Sequence, residues 1–155
     1  MVTVRLEETI DCTCEDVLEM VMDIRGYAQV DDKIHPVLWS RRDGDVVTFA
    51  CRPKLAGLRQ PKVIQYARLT PGLRVDIGLT PRPDNRIAHA MAEFQASFET
   101  SEAVGGTRVV RTLMFRFTPW LRWLLEPLFS SRLEREVRDE LRRAKDHLEH
   151  TRPPA

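Results

Sequence analysis

Arg111 is the first residue in this chain to which chemistry can be assigned. From Thr107 to Phe117 the residues alternate, with Val109, Arg111, Leu113, Phe115 and Phe117 on one face of a strand and Val110, Thr112, Met114 and Arg116 on the other. The aromatic-rich face is expected to turn inward, and it carries Arg111 with it. A buried guanidinium needs an acid or an anionic ligand group beside it, because desolvation of an unpaired charge is costly. Two other readings stay open: Arg111 reaches water at an open end, or a bulge shifts the register. Tyr66 is the second polar candidate, with a hydroxyl that could enter the same pocket, but its face is not settled by alternation.

Apolar residues around these two suggest a cavity. Ala90, Ala92, Phe94, Ala96 and Phe98 share a face of the preceding segment, read as a long strand over about residues 88–100. The alanines on that face leave volume for a ligand, or they allow a helix to approach closely. Phe49 is expected inside with Val47 and Cys51. Leu55 and Leu58 sit in a segment framed by Pro53, Gly57 and Pro61, which reads as a lid over the cavity or as an ordinary loop. Trp120, Trp123, Leu124, Leu125, Leu128 and Phe129 form the densest apolar cluster. It reads as core and pocket floor, or as a surface for a membrane or partner protein assisted by Arg122.

Other chemistries find little support. Cys12 and Cys14 lack the spacing of a zinc knuckle, Cys51 stands apart, and three cysteines make no even disulfide framework. No metal and no cofactor is expected. His35, His89, His147 and His150 are scattered, with no acid or nucleophile at a telling spacing, so a catalytic triad is not supported.

The elements that must position these residues are read from periodicity. Leu133, Val137, Leu141, Ala144 and Leu148 recur at steps of three and four, marking an amphipathic helix near the end of the chain. Arg132, Glu134, Arg138, Glu140 and Arg143 are assigned to its wet faces. Pro127 is expected to end or kink a short apolar helix beginning near Trp120, and Ser131 with Glu134 to cap the next one. Upstream, residues 2–10 alternate as a half-buried strand. Thr13 with Asp16 starts a short helix that ends near Gly26, and residues 27–33 form a second short helix or a link. Asp43-Gly44 joins two strands in a hairpin, and further strands cover residues 63–69, 73–79 and 107–117. The expectation is an α+β domain over residues 1–150, with residues 151–155 as a frayed tail.

Bulk properties narrow the function. The chain of 155 residues carries a net charge of +1, with 43% hydrophobic and 30% charged residues, so nucleic acid is not an expected partner. No apolar run reaches the length of a membrane span, although transient membrane contact stays open. Glu7 and Glu8 fall where a signal peptide would have its apolar core, which points to the cytoplasm. Either a monomer or a homodimer is compatible with these features.

The ordered set Ile10-Asp11, Glu15-Asp16-Val17, Tyr27 after Gly26, Leu69-Thr70-Pro71, Gly105-Gly106-Thr107-Arg108-Val109 and the terminal amphipathic helix resembles the START-like (SRPBCC) superfamily. This superfamily includes the polyketide cyclase/dehydrase and lipid-transport proteins and the relatives of the birch-pollen allergen. The resemblance covers residues 2–149. The segment Tyr27-Ala28-Gln29-Val30 departs from it by lacking the proline and tryptophan often found there. It implies a helix-grip fold, in which a curved six- to seven-stranded antiparallel sheet wraps around a long C-terminal helix, with one or two short helices between strands 1 and 2. It also implies a cavity for a hydrophobic small molecule: a polyketide-like, isoprenoid or acyl compound. The expected ligand-binding set is Phe49, Leu55, Leu58, Tyr66, Phe94, Phe98, Arg111, Leu113, Phe115, Trp120 and Leu124. An aromatase/cyclase or dehydratase using Arg111 and Tyr66 is the alternative, and an interaction module built on residues 120–129 is the third reading.

Overall fold

The structure, a computed structural model, describes residues 1–31, 33–55 and 57–151, without the side chains of Leu55 and Thr151. The 2–10 alternation forms β1 (Val2–Ile10), with Val2, Val4 and Ile10 buried. Thr13 then accepts a hydrogen bond from the Asp16 amide and starts α1 (Cys14–Met22), which buries Val17, Leu18, Val21 and Met22. A short α2 (Ile24–Tyr27) follows. β2 (Val37–Asp43) and β3 (Val46–Cys51) make the expected hairpin around Gly44, which has φ +62°. The 53–61 segment is a miniature hairpin of β4 (Lys54–Leu55) and β5 (Leu58–Arg59). β6 (Val63–Thr70), β7 (Arg74–Leu79), α3 (Arg86–Met91), β8 (Ala92–Ala103), β9 (Gly106–Phe117) and α4 (Pro119–Thr151) complete the order.

The large sheet has seven strands in the order β1-β9-β8-β7-β6-β3-β2, every neighbour antiparallel. β9 therefore leaves a hairpin with β8 to pair with β1, which brings the chain's first strand beside its last. Gly106 makes this junction possible. It has φ +136°, and a Cβ there would lie 2.1 Å from the Ile10 carbonyl oxygen. α4 packs along β1 and β9, whereas α1 packs over β6, β7 and β8. The two helices share the concave face without filling it. Phe129 of α4 meets Phe115 and Phe117 of β9 edge-on at 5.3 and 4.9 Å, and Phe94 of β8 lies 4.9 Å from Phe115.

Three expectations about local structure change. The segment read as strand from Ala88 begins instead as α3, so Ala90 is not on a sheet face. Asn85 explains this. It sits in the left-handed region at φ 58°, and its side chain bonds both the amide and the carbonyl of Ile64 at 2.7 Å, pinning the turn that starts the helix. The helix does not end at Pro127 either: α4 continues from Pro119 to Thr151 with the proline inside it. Pro127 removes the donor to the Trp123 carbonyl, but Trp123 is 75% exposed, so water can replace it. Ser131 is not a cap; its hydroxyl donates to the Leu128 carbonyl. Residues 152–155, most of the expected tail, lie outside the described residues.

Candidate functional site

A cavity of about 710 Å³ lies between the concave sheet face and the helices. Its walls are mainly apolar: Phe49 of β3, Ile77 of β7, Phe94 of β8, Leu113 and Phe115 of β9, and Leu125 and Phe129 of α4. α3, with Ile87 and Met91, and the β4–β5 hairpin, with Leu58, border its mouth. Alternation on each strand produces the apolar lining.

The inner end is polar. Arg111 is 3% exposed, and its Nε donates to Glu140 Oε2 at 3.1 Å. Its guanidinium carbon lies 4.2 Å from the centre of the Phe98 ring. Lys33 Nζ donates to Glu140 Oε1 at 2.5 Å and lies 2.8 Å from Asp31 Oδ1, while the Tyr27 hydroxyl donates to Glu140 Oε2. Asp31 Oδ2 is 3.8 Å from Arg111 Nη2. Two cations and two carboxylates are thus buried together, with Glu140 receiving three donors.

This arrangement separates the two acids. Burial disfavours the charged form of Glu140, but Arg111 and Lys33 outweigh it and hold the carboxyl down at about 2. Asp31 goes the other way: burial, reinforced by the Glu140 charge, pushes it up to about 6 despite Lys33 and Arg111. Burial and the neighbouring Glu140 push the Tyr27 hydroxyl well above its usual range, so it remains a donor. Burial, with a contribution from Asp31, pushes the Cys51 thiol up to about 12, which leaves it a poor nucleophile. Among the described residues, three buried side-chain polar atoms have no hydrogen-bond partner: Arg111 Nη1, Asp31 Oδ2 and Gln65 Oε1. All three belong to residues that line the cavity.

The expected site residues separate into groups. Arg111, Phe49, Leu58, Phe94, Leu113 and Phe115 line the cavity. Phe98 does not line it; it lies beneath Arg111 and edge-on to Tyr27 at 5.5 Å. Tyr66 is on the opposite face of β6 from buried Gln65, close over Gly78 and with Arg68 5.5 Å from its ring, so its hydroxyl does not enter the cavity. Trp120 and Leu124 are 66% and 55% exposed and lie outside the lining, because the inward face of α4 presents Leu125 and Phe129 instead. The Leu55 side chain lies outside the described residues. The Nε2 of His89 meets the Thr80 carbonyl at 2.8 Å.

Tyr27, Asp31, Lys33, Gln65 and Glu140 were not anticipated as site residues. Glu140 had a signal: it follows Val137 by three and precedes Ala144 by four, which places it on the buried stripe rather than a wet face. Gln65 had one too, alternating with Val63 and Ala67, both buried. Asp31 and Lys33 occupy an aperiodic link, and nothing local marks them. Among the described residues no cluster of three His, Cys, Asp or Glu side chains is placed to hold a metal ion, and no helix is long and apolar enough to cross a membrane.

A seven-stranded sheet gripping a terminal helix around an apolar cavity defines a helix-grip domain. The chain belongs to the polyketide cyclase/dehydrase and lipid transport family, which matches residues 1–149. No curated protein matches the chain. Among solved structures, TTHA0849 from Thermus thermophilus is similar, with a TM-score of 0.76, 18% identity, and coverage of 95% of this chain and 97% of that one. The Zhui aromatase/cyclase from Streptomyces sp. R1128 has a TM-score of 0.75 at 13% identity, covering 96% and 94%. The di-domain aromatase/cyclase BexL from the BE-7585A biosynthetic pathway has a TM-score of 0.74 at 16% identity, covering 98% of this chain and 51% of BexL.

Proposed function

We propose that the protein binds a hydrophobic small molecule, such as a polyketide-like, isoprenoid or acyl compound, with an oxygen-bearing end innermost. One observation carries this reading: a cavity of about 710 Å³ with apolar walls ends at three polar atoms that make no hydrogen bond, Arg111 Nη1, Asp31 Oδ2 and Gln65 Oε1. Its volume suits a small organic ligand. Buried polar groups without hydrogen bonds are costly; a ligand carbonyl at this end would accept from Arg111 Nη1, and a ligand hydroxyl could also donate to Gln65 Oε1 or Asp31 Oδ2. Arg111 is already neutralised by Glu140, so a polar but uncharged ligand end fits at least as well as a carboxylate.

A second reading, an aromatase/cyclase or dehydratase, is favoured by Asp31. A carboxyl raised to about 6 in a cavity wall beside a guanidinium is suited to proton transfer near neutral pH. The similarity to aromatase/cyclases supports this reading through fold alone.

The test uses mass spectrometry of compounds extracted from purified protein, followed by binding of those compounds and of a fluorescent apolar probe. Gln65→Leu is the informative variant, because Gln65 stands outside the ion-pair network. It is expected to weaken an oxygenated ligand by about threefold to tenfold, the worth of one neutral hydrogen bond, and to leave a pure hydrocarbon probe unaffected. If neither extracted compounds nor probes occupy the cavity, the binding reading falls. Turnover of a poly-β-ketone substrate, abolished by Asp31→Asn with binding retained, would favour the enzyme.

A further inference from the structure

Asp31 differs from the other charged groups at the inner end of the cavity in how little holds its charge. Glu140 receives three donors, from Arg111, Lys33 and Tyr27. Asp31 Oδ1 accepts from the Lys33 amide at 2.9 Å and lies 2.8 Å from Lys33 Nζ. Its Oδ2 makes no hydrogen bond, and Arg111 Nη2 stands off at 3.8 Å. The residue is 1% exposed and lines the cavity. A carboxylate oxygen so placed is shielded from water and has no donor in exchange. The link that carries it is held in place. Arg143 Nε of α4 donates to the Val30 carbonyl at 2.8 Å, and the Asp31 amide donates to the Tyr27 carbonyl at 3.1 Å.

Titratable groups reach Asp31 from every element packed against it: Lys33 on its own link, Tyr27 on α2, Cys51 on β3, Arg111 on β9 and Glu140 on α4. Burial opposes the charges of Lys33 and Arg111, but the two carboxylates outweigh it and keep both protonated. Tyr27 and Cys51 also keep their protons, and Glu140 stays ionised. Asp31 is left as the member of this group that titrates near neutral pH. A ligand carboxylate would find a donor here, because Arg111 Nη1 is buried and makes no hydrogen bond. It would also add negative charge where, among the described residues, two cations already face two carboxylates. Uncompensated charge at this depth is costly, and the carboxylate with the fewest donors gives way first. A neutral hydroxyl makes no such demand.

We infer that Asp31 is a specificity-determining residue: an acidic ligand binds as its carboxylate on Arg111 while Asp31 takes up a proton, whereas an alcohol of the same skeleton binds without proton uptake. The carboxylate and a proton from solvent enter together, so the net charge of the inner end does not change. Asp31 carries its proton below about pH 6 before any ligand arrives. Above that pH the proton must be supplied on binding, and affinity for the acid falls by about tenfold per pH unit. The pH then selects between an acid and its alcohol. This inference rests on the binding reading proposed above and adds to it the chemical form of the ligand end.

The experiment is displacement of a neutral fluorescent apolar probe from the full chain by dodecanoic acid and by dodecanol, from about pH 6 to about pH 8. Calorimetry in buffers of different ionisation enthalpy counts the protons taken up with each compound. The acid is expected to weaken by about fiftyfold over this range and to take up roughly one proton at its upper end. Dodecanol is expected to show neither effect. Asp31→Asn is expected to fold, because the protonated acid is the form the fold favours. At about pH 8 it should bind dodecanoic acid at least about tenfold more tightly than the natural chain, with the dependence on pH gone. Tightening is a result that damage to the cavity would not produce. An acid that fails to bind where dodecanol binds, or whose affinity ignores pH, overturns the inference. So does a fall with pH that persists in Asp31→Asn, because the proton would then sit elsewhere. In each of those cases binding of dodecanol leaves the binding reading standing. If neither compound binds, that reading and this inference fall together.

Discussion

In the first turns of α4, Trp120, Trp123 and Leu124 stand in solvent; farther along the same helix Glu140 is wholly buried. Residue type alone would assign each the opposite place. The difference lies in what the rest of the fold presents. Near Trp120 the inward face of α4 is supplied by Leu125 and Phe129, which line the cavity, and Trp120 falls on the outer face. Near Glu140 the concave face holds Arg111, Lys33 and the Tyr27 hydroxyl, which together replace the water a carboxylate would lose. Burial on this helix follows the partner available rather than hydropathy.

The comparison breaks most severely at Glu140. Glu140→Leu keeps the volume but leaves two buried cations against Asp31 alone, and it is expected to cost about 3–5 kcal/mol by chemical denaturation. Adding Arg111→Met should recover a large part of that loss, because the charge count balances again. If the single and double variants are equally unstable, Glu140 does not act as a counter-ion to Arg111.

Leu141→Ala tests the neighbouring position by packing alone. It is expected to cost about 2–5 kcal/mol through the cavity it leaves, with no dependence on pH. A value near zero would place this part of α4 away from the sheet.

The pH dependence sharpens the comparison further. Asp31 titrates at about 6 in the folded chain against 3.8 ordinarily, so its protonation favours the fold; that contribution is complete below about pH 3.8 and is lost as pH rises through 6. Glu140, held at about 2 against 4.5, contributes above about pH 4.5 and loses that contribution as pH falls toward 2. Together they predict greatest stability from this network near pH 4. Asp31→Asn should flatten the decline between pH 4 and 6 in a series of denaturation curves. A decline that persists unchanged in that variant would assign it to other groups.

The smallest effect is expected at the opposite end of the helix. Trp120→Ala should change stability by no more than about 0.5 kcal/mol despite removing the largest kind of side chain, because the ring is 66% exposed. A loss of several kcal/mol would mean that the ring is packed after all.

How much of this was legible depended on whether a residue's place left a periodic trace. The strands of the sheet, the Asp43-Gly44 hairpin, the Thr13 cap and the buried stripe from Leu133 to Leu148 all leave alternation, spacing or turn chemistry in the local sequence. Arg111 was placed inward by its even separation from Phe115 and Phe117, and an acid or an anionic ligand group was expected beside it on physical grounds. The position of Glu140 was legible too, on the stripe between Val137 and Ala144, but charge outweighed spacing in the reading. Tyr66 and Trp120 went the other way, since an aromatic residue near an expected pocket gives no sign of whether it faces the pocket or stands behind it.

By itself, then, the sequence determined most of the strands, the first and last helices, their order and the inward face of β9, because each follows from contacts between residues close in the chain or from a fixed period. Which acids meet Arg111 was decided only in three dimensions. Asp31 and Lys33 come from an aperiodic link, Arg111 from β9 and Glu140 from α4, and only the closed fold brings them within bonding distance. The cavity has the same origin. Its volume is the space left where a curved sheet and two helices fail to meet, and no single segment of the chain records that space.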